Sequence, residues 1–378
     1  MISLMAIIGL IVGILYLLLM VFFAMGFIKV RQFSPELGSA SMSVVIPFRN
    51  EEDSLPELLR SLSALKSSNE VRAQILFVND GSHDQSWKLV SDFIANGTCA
   101  FPCTLLESEG KGKKQALLKG IQESEYDWIV TTDADCVVPP EWLIHIGSEI
   151  HHGNTDLWVM PVTLKSDGGI FQQLQQIENM ALTAMNAGAI NNGQYLSAQG
   201  ANLAFKKSVF FEVGGYAPEW DVAGGDDEFL LARIASTRPN AVGTAFNPDL
   251  TVQTRPCYRF KELISQRTRW AAKAQKHTLS MRSILVAVPT VFMALLLLSV
   301  LIGFLFQNYA LLRGLLFYKW FGDFVLYMSF KRYFKLNPFA LLYIILMPVY
   351  QLTYMVPVVY KLIFEKKVIW KGRQYGNQ

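Results

Sequence analysis

Met1 to Ile28 carries no charged side chain. At a rise of about 1.5 Å per residue a helix of that length is roughly 40 Å long, enough to cross a bilayer core with some tilt. No other stretch constrains the fold as much, because it commits the start of the chain to an apolar surround. It has no cationic start, short apolar core or small-residue cleavage site, so it reads as a retained span and not as a removed signal. Lys29 and Arg31 follow at once, which by the positive-inside tendency puts the next segment in the cytoplasm. Hydrophobic residues make up 51% of the 378, and the excess lies at the two ends. Ile284–Phe306 is uncharged and long enough to span. Leu311–Phe330 is interrupted by Arg313, Lys319 and Asp323, and Leu336–Leu362 carries Pro338, Pro348 and Pro357. If all three cross, the basic tail lands opposite the central domain. A proline-broken, re-entrant last segment would remove that conflict, provided its freed backbone groups are buried in protein. The expectation is an integral, multi-pass membrane protein with a span at 1–28, a cytoplasmic domain at 41–257, an interfacial helix at 258–282, apolar segments within 284–362 and a basic tail at 363–378.

The net charge of +3 is too small for a nucleic-acid binder. Cys99, Cys103, Cys136 and Cys257 form no Cys-X-X-Cys pair and have no histidine at zinc spacing, which fits free thiols in a reducing compartment. His83, His145, His151, His152 and His277 suggest no metal constellation, and His151-His152 reads as a solvated helix end.

Between the ends the pattern alternates strand, polar turn and helix. Met42–Phe48 reads as a strand running into Arg49-Asn50-Glu51-Glu52-Asp53, and Leu55, Leu58, Leu59, Leu62 and Leu65 then recur at helical spacing. Ala73–Val78, the turn Asn79-Asp80-Gly81-Ser82 and a helix over 85–95 repeat the unit. Leu105-Leu106 suggests a short strand, and Gly110-Lys111-Gly112-Lys113-Lys114 leads into a further helix. Trp128–Thr132 is a β-branched, aromatic run ending in Asp133-Ala134-Asp135, with Pro139-Pro140 stopping it. Such alternation predicts an α/β fold with a parallel sheet, right-handed crossovers and all the polar turns on one edge. At that edge two carboxylates spaced i, i+2 can approach one oxygen-seeking cation. Leu157–Thr163 reads as another strand, Phe171–Ile190 as a helix and Leu203–Phe205 as a short strand. The acids of Gly225-Asp226-Asp227 open a helix, and a basic amphipathic stretch holds Gln266-Arg267-Thr268-Arg269-Trp270.

Pro47-Phe48-Arg49-Asn50-Glu51, Asp80-Gly81-Ser82, Gly112-Lys113-Lys114, Asp133-Ala134-Asp135, Gly225-Asp226-Asp227 and Gln266-X-X-Arg269-Trp270 stand in that order in the chain. Together they resemble family 2 glycosyltransferases, membrane-bound inverting enzymes of the Rossmann-like GT-A fold, over about residues 41–280. The resemblance implies sugar transfer from a nucleotide-diphosphate donor, a UDP-sugar first among them, to a lipid or lipid-linked acceptor at the membrane. Asp135 would coordinate Mg²⁺ or Mn²⁺, and Asp133 would hold the ribose or a metal-bound water. Lys113 and Arg269 would meet phosphate oxygens, since a departing diphosphate needs cations aimed at it. Trp270 would lie beside the acceptor, with Gln266 in the same motif. Asp80 would accept from the nucleotide base, Pro47, Arg49, Asn50 and Glu51 would shape its pocket, and Gly200 and Asn202 would line the donor sugar. The acceptor's proton would go to Asp227, although the adjacent Asp226 leaves open which acid faces it.

Plainer readings stand beside these. Glu51 and the 226–227 pair also suit helix starts, Lys113 a solvated helix-start lysine, and Arg269 a lipid headgroup contact. The layout of one leading span and trailing segments is similar to that of ceramide glucosyltransferases. Processive polysaccharide synthases share the last motif but need more spans for a pore, and a non-catalytic nucleotide-sugar-binding protein would have no use for a base.

Overall fold

A computed structural model describes residues 2–30, 38–165, 169–217, 225–238, 240–274, 281–364, 368–370 and 373–375. Arg31 and His277 fall outside them. The chain divides into two compact units: residues 30–165 with 197–255, and residues 1–29 with 166–196 and 256–378.

The helices α1 (Ile2–Ile28), α6 (Ile170–Asn191), α9 (Phe260–Ala274), α10 (Met281–Phe306), α11 (Ala310–Phe330) and α12 (Ala340–Phe364) belong to the second unit, with the hairpin β11 (Val368–Trp370) and β12 (Arg373–Tyr375). The rest belong to the first: strands β1 (Ala40–Phe48), β2 (Val71–Asn79), β3 (Cys103–Glu107), β4 (Trp128–Thr131), β5 (Cys136–Val137), β6 (Leu157–Val159), β7 (Val162–Leu164), β8 (Leu203–Lys206), β9 (Val242–Thr244) and β10 (Val252–Thr254), and helices α2 (Leu55–Ser63), α3 (Ser86–Ala95), α4 (Lys113–Gln122), α5 (Trp142–His152), α7 (Lys207–Glu212) and α8 (Asp226–Thr237).

In the first unit a seven-stranded sheet runs β3-β2-β1-β4-β8-β6-β9, and a three-stranded sheet runs β5-β10-β7. β1 is buried from Met42 to Phe48, as expected of a strand covered on both faces. On one face Val44, Ile46 and Phe77 pack with Leu55, Leu58 and Leu62 of α2 and with Trp142, Leu143 and Ile146 of α5. Each such side chain removed from water contributes ~1.5–3 kcal/mol. On the other face α4 comes close because Gly120 has no Cβ, which would lie 2.4 Å from Val45 Cγ1.

The α/β class read from the alternation holds, and the sheet is mixed. β1 through β4 are parallel, but β8 lies antiparallel between β4 and β6. The segment before β8 is no crossover helix on the sheet, since α6 belongs to the other unit, and so β8 escapes the rule for consecutive β-α-β units. The single strand expected over 157–163 is two, β6 and β7, which enter different sheets; Pro161 between them has no N–H to extend a ladder. The contiguous domain expected at 41–257 is likewise interrupted, because residues 166–196 group with the apolar helices.

In the helical unit α1 meets α6 at glycines: a Cβ on Gly26 would lie 2.0 Å from Gly188 O, and one on Gly188 2.1 Å from Phe23 O. Small residues let helix backbones approach in this way in lipid. Among the described residues, three helices are long and apolar enough to cross a membrane: Leu4–Ile28, Ser283–Phe306 and Ala340–Lys361. α11 is not among them. Its Lys319 pairs with Asp323, which also accepts from Tyr16 Oη of α1 at 2.5 Å, so these two charges are satisfied inside the unit. The last segment is one continuous helix through Pro348 and Pro357, so the proline break that would have removed the charge conflict is not there.

Candidate active site

The strand order reverses between β1 and β4. From β1 the chain builds outward through β2 and β3, then returns to place β4 on the other side. Open α/β sheets bind ligands in the crevice that this leaves at the strands' carboxyl ends, and the polar turns after β1, β2 and β4 meet there.

The first two turns are joined side by side. Arg49 Nη1 donates to Asp80 O at 2.8 Å, Asn50 N to Ser82 Oγ at 3.1 Å, His83 N to Asn50 Oδ1 at 2.9 Å and Glu51 N to Ser86 Oγ at 2.7 Å. Asn50 sits at φ +50° and Gly81 at +66°, left-handed positions that suit their residue types. Pro47 is buried near the end of β1, beside Val78 of β2. Asp80 is only 4% exposed, and its Oδ1 accepts from Gly112 N at 2.7 Å. It thereby holds the glycine loop that opens α4.

From that loop Lys113 reaches Asp133, Nζ to Oδ1 2.7 Å, with both side chains partly exposed. Three motifs far apart in sequence are thus linked in a row, from Asp80 through Gly112 and Lys113 to Asp133. Asp135, two residues on, is half-buried, and the buried Cys136 Sγ lies 3.8 Å from its Oδ1. Burial, then the charges of Asp135 and Asp133, push the Cys136 thiol well up.

Asp227 joins the same edge through Gly200. Thr131 Oγ1 at the end of β4 donates to Gly200 O at 2.7 Å, and Gly200 N donates to Asp227 Oδ2 at 2.9 Å. Asp227 Oδ1 accepts from Glu228 N at 2.8 Å, so two amides orient its carboxylate in the first turn of α8. Asp226 is the first residue of that helix; its side chain lies outside the described residues. Gly225 before it sits at φ +76°, where its missing Cβ spares a clash with the Phe229 ring.

Two expected donor contacts have other work. Both backbone polar groups of Gly200 are used to join β4 to α8. Asn202 is fully buried, donating to Pro161 O at 2.8 Å and Leu250 O at 2.7 Å and accepting from Trp142 Nε1 at 3.0 Å. Asn202 is therefore a clamp within the core, and the expectation that it lines the donor sugar is corrected. Lys114 was not singled out. It is buried, with its ammonium 5.9 Å from the centre of the Phe229 ring, and so ties α4 to α8. Its place beside Lys113 in a glycine-flanked loop was the available signal.

Gln266, Arg269 and Trp270 lie on α9 of the helical unit. Gln266 Oε1 accepts from Arg267 Nη1 at 3.3 Å, and Trp270 is 41% exposed. Burial lowers the pKa of Arg269 from the usual arginine value. The residue between them, Arg267, was passed over in the sequence. It is buried against Glu178 of α6 at 2.5 Å, with its guanidinium carbon 4.2 Å from the centre of the Trp270 ring.

Residues 43–214 match the profile of Glycosyl transferase family 2. The chain carries a family 2 glycosyltransferase domain. Two undecaprenyl-phosphate 4-deoxy-4-formamido-L-arabinose transferases resemble it. That of Pseudomonas paraeruginosa is 41% identical over 100 residues, 26% of this chain and 29% of the relative; that of Pseudomonas fluorescens (strain Pf0-1) is 35% identical over 112 residues, 30% and 33%. The match thus spans about a third or less of these relatives' length. A mannosyltransferase from Pyrobaculum calidifontis, solved with GDP-Man and Mn²⁺, superposes with a TM-score of 0.60 at 15% identity over 97% of this chain and 100% of its own. The glycosyltransferase domain therefore has the GT-A fold.

Proposed function

We propose that the protein transfers a sugar from a nucleotide diphosphate to a lipid-borne acceptor at the cytoplasmic face of a membrane. The observation that carries this is the Lys113 ammonium 2.7 Å from Asp133 at the sheet's switch point, on a loop pinned by Asp80. A cation beside an acid pair suits a diphosphate, which carries charge of its own and gains more as it departs. Gln266, Arg269 and Trp270 enter through the motif they form, as the diphosphate's planar cation and an acceptor-side aromatic. The spans of the helical unit, and the lipid phosphate named for the relatives, support a polyprenyl phosphate or similar lipid acceptor.

Asp135 and Asp133 would hold Mg²⁺ or Mn²⁺. The donor set fits a hard ion: both acids offer oxygen, Asp133 already attracts an ammonium, and burial keeps the adjacent Cys136 a thiol and so a poor ligand. Such a cation, when bound, supplies positive charge against the diphosphate. Lys113 adds a second charge there, while Asp80 keeps it aimed. In the transfer the acceptor oxygen bonds to the anomeric carbon and the nucleotide diphosphate leaves with the bonding pair. A hydroxyl acceptor gives its proton to the Asp227 carboxylate; an ionised lipid phosphate has none to give.

Transfer of labelled sugar to native lipid extract by purified protein tests the proposal. Wild type is expected to label the lipid phase, and Asp135→Ala to fall at least ~100-fold. Equal background labelling by both with every donor would end it. Asp227→Asn then sorts the acceptors, losing transfer to a hydroxyl and retaining transfer to a lipid phosphate.

A further inference from the structure

A second cluster of metal-ligating side chains, none of them assigned to the glycosyltransferase site, lies in the first unit. Glu141 caps the start of α5, His145 follows one turn later on the same face, and Asp249 lies in the 3₁₀ turn Pro248–Leu250. Their ligand atoms all lie within 4.8 Å of one another. Lys66 also contacts Glu141. It sits in the connection from α2 to β2.

The spacing is informative. His145 Nε2 is 3.5 Å from Glu141 Oε2 and 3.7 Å from Asp249 Oδ2. A protonated imidazole holding two carboxylates should sit at about 2.7–3.0 Å, and these separations are longer than that. They are close to the edge of a tetrahedron whose nitrogen and oxygen ligands lie ~2.0–2.1 Å from Zn²⁺, an edge of about 3.3–3.4 Å. One imidazole and two carboxylates are a ligand set for Zn²⁺ or a similar borderline ion, and a poor one for Mg²⁺.

The surroundings are arranged to suit. The His145 side chain is 6% exposed, so its ring is held by packing, while those of Glu141 and Asp249 are 40% and 53% exposed and leave an entry path with room for a water ligand. Lys66 Nζ holds the other Glu141 oxygen, Oε1, at 2.6 Å and so directs Oε2 toward the histidine. Asn247 Oδ1 accepts from Asp249 N at 3.0 Å, which sets the turn carrying the third ligand. The Asn247 amide nitrogen stands 3.4 Å from His145 Nδ1, a long contact that a metal on Nε2 would give up as the ring proton moves to Nδ1.

We propose that Glu141, His145 and Asp249 form a divalent transition-metal site, filled by Zn²⁺ and completed by water. The ion would tie α5 to the turn that feeds β10, the central strand of the three-stranded sheet. It is a structural site, independent of the cation at Asp133 and Asp135.

The test uses full-length protein in detergent, with both donor-site acids neutralised (Asp133→Asn, Asp135→Asn) and stripped of metal. Zn²⁺ alone is titrated by calorimetry, and Co²⁺ is added separately for its visible absorption. The expected result is one Zn²⁺ per chain, a rise in the unfolding temperature on binding, and Co²⁺ bands of tetrahedral type. Asp249→Asn, an exposed change that leaves packing alone, should weaken Zn²⁺ at least ~10-fold and abolish the bands. His145→Gln should do the same. If the parent shows no saturable Zn²⁺ binding, or Asp249→Asn binds it as tightly as the parent, the site does not exist.

Discussion

Glu178→Gln keeps the shape of the side chain and removes the charge against which Arg267 is built. Glu178 and Arg267 are 6% and 8% exposed, with Nη2 to Oε2 2.5 Å. Tyr354 Oη donates to Glu178 Oε1 at 2.6 Å, while Tyr350 Oη and Gln351 Nε2 approach within 3.4 Å. The carboxylate thus gathers α6, α9 and α12. Removing one partner of a buried ion pair leaves the other charge without compensation, at a cost of ~3–5 kcal/mol. Replacing both with apolar groups of similar size is often neutral. Glu178→Gln should therefore lower the unfolding temperature by roughly 5–10 °C in detergent, and Glu178→Gln with Arg267→Met should recover most of it. The assay is thermal unfolding by circular dichroism. Trp270 fluorescence serves as a local reporter, because the guanidinium lies over its ring. If the single variant stays within ~1 kcal/mol of wild type, or the double variant is no better than the single, the pair is not the fastening argued here.

Asp80→Ala takes the acceptor from Gly112 N–H, a loss of ~1–3 kcal/mol that also frees the Lys113 loop. Nucleotide-sugar affinity by calorimetry should fall ~10-fold or more, and an unchanged affinity would refute the role of Asp80. The hydrogen bond from Lys165, with further help from Arg255, holds Glu57 below its usual 4.5. Its stabilisation, under ~1 kcal/mol, is therefore complete above that pH and lost as pH falls through the lowered value. Wild type should be more stable than Glu57→Gln at pH 7 and equal to it at strongly acid pH; a constant difference would contradict the assignment. Cys103 hydrogen-bonds to Cys99 and draws its thiol down to about 7, while burial pushes Cys136 and Cys257 up. Limited alkylation at pH 7.5 should mark Cys99 before those two in peptide mass spectra, and equal marking would overturn that order.

What the sequence determined by itself was local and periodic. The uncharged run at the start, the buried strands at 42–48 and 73–78, and the polar turns after them follow from residue spacing, and the α/β class follows from their alternation. That Arg49, Asp80, Lys113 and Asp133 stand in polar turns or at a helix start was legible for the same reason, while the roles proposed for them came from the resemblance. Partnership was not legible, because it depends on contacts between residues far apart in the chain. Asn202 had the look of a ligand contact and proved a core clamp once Trp142, Pro161 and Leu250 surrounded it. His145 looked solitary until the turn at 248–250 brought Asp249 to it. Arg267 looked like one more basic residue on an amphipathic helix until Glu178 closed on it. The antiparallel β8 had no sequence signature at all: a strand's direction is set by where the chain re-enters the sheet, and here that followed from α6 packing with the apolar helices.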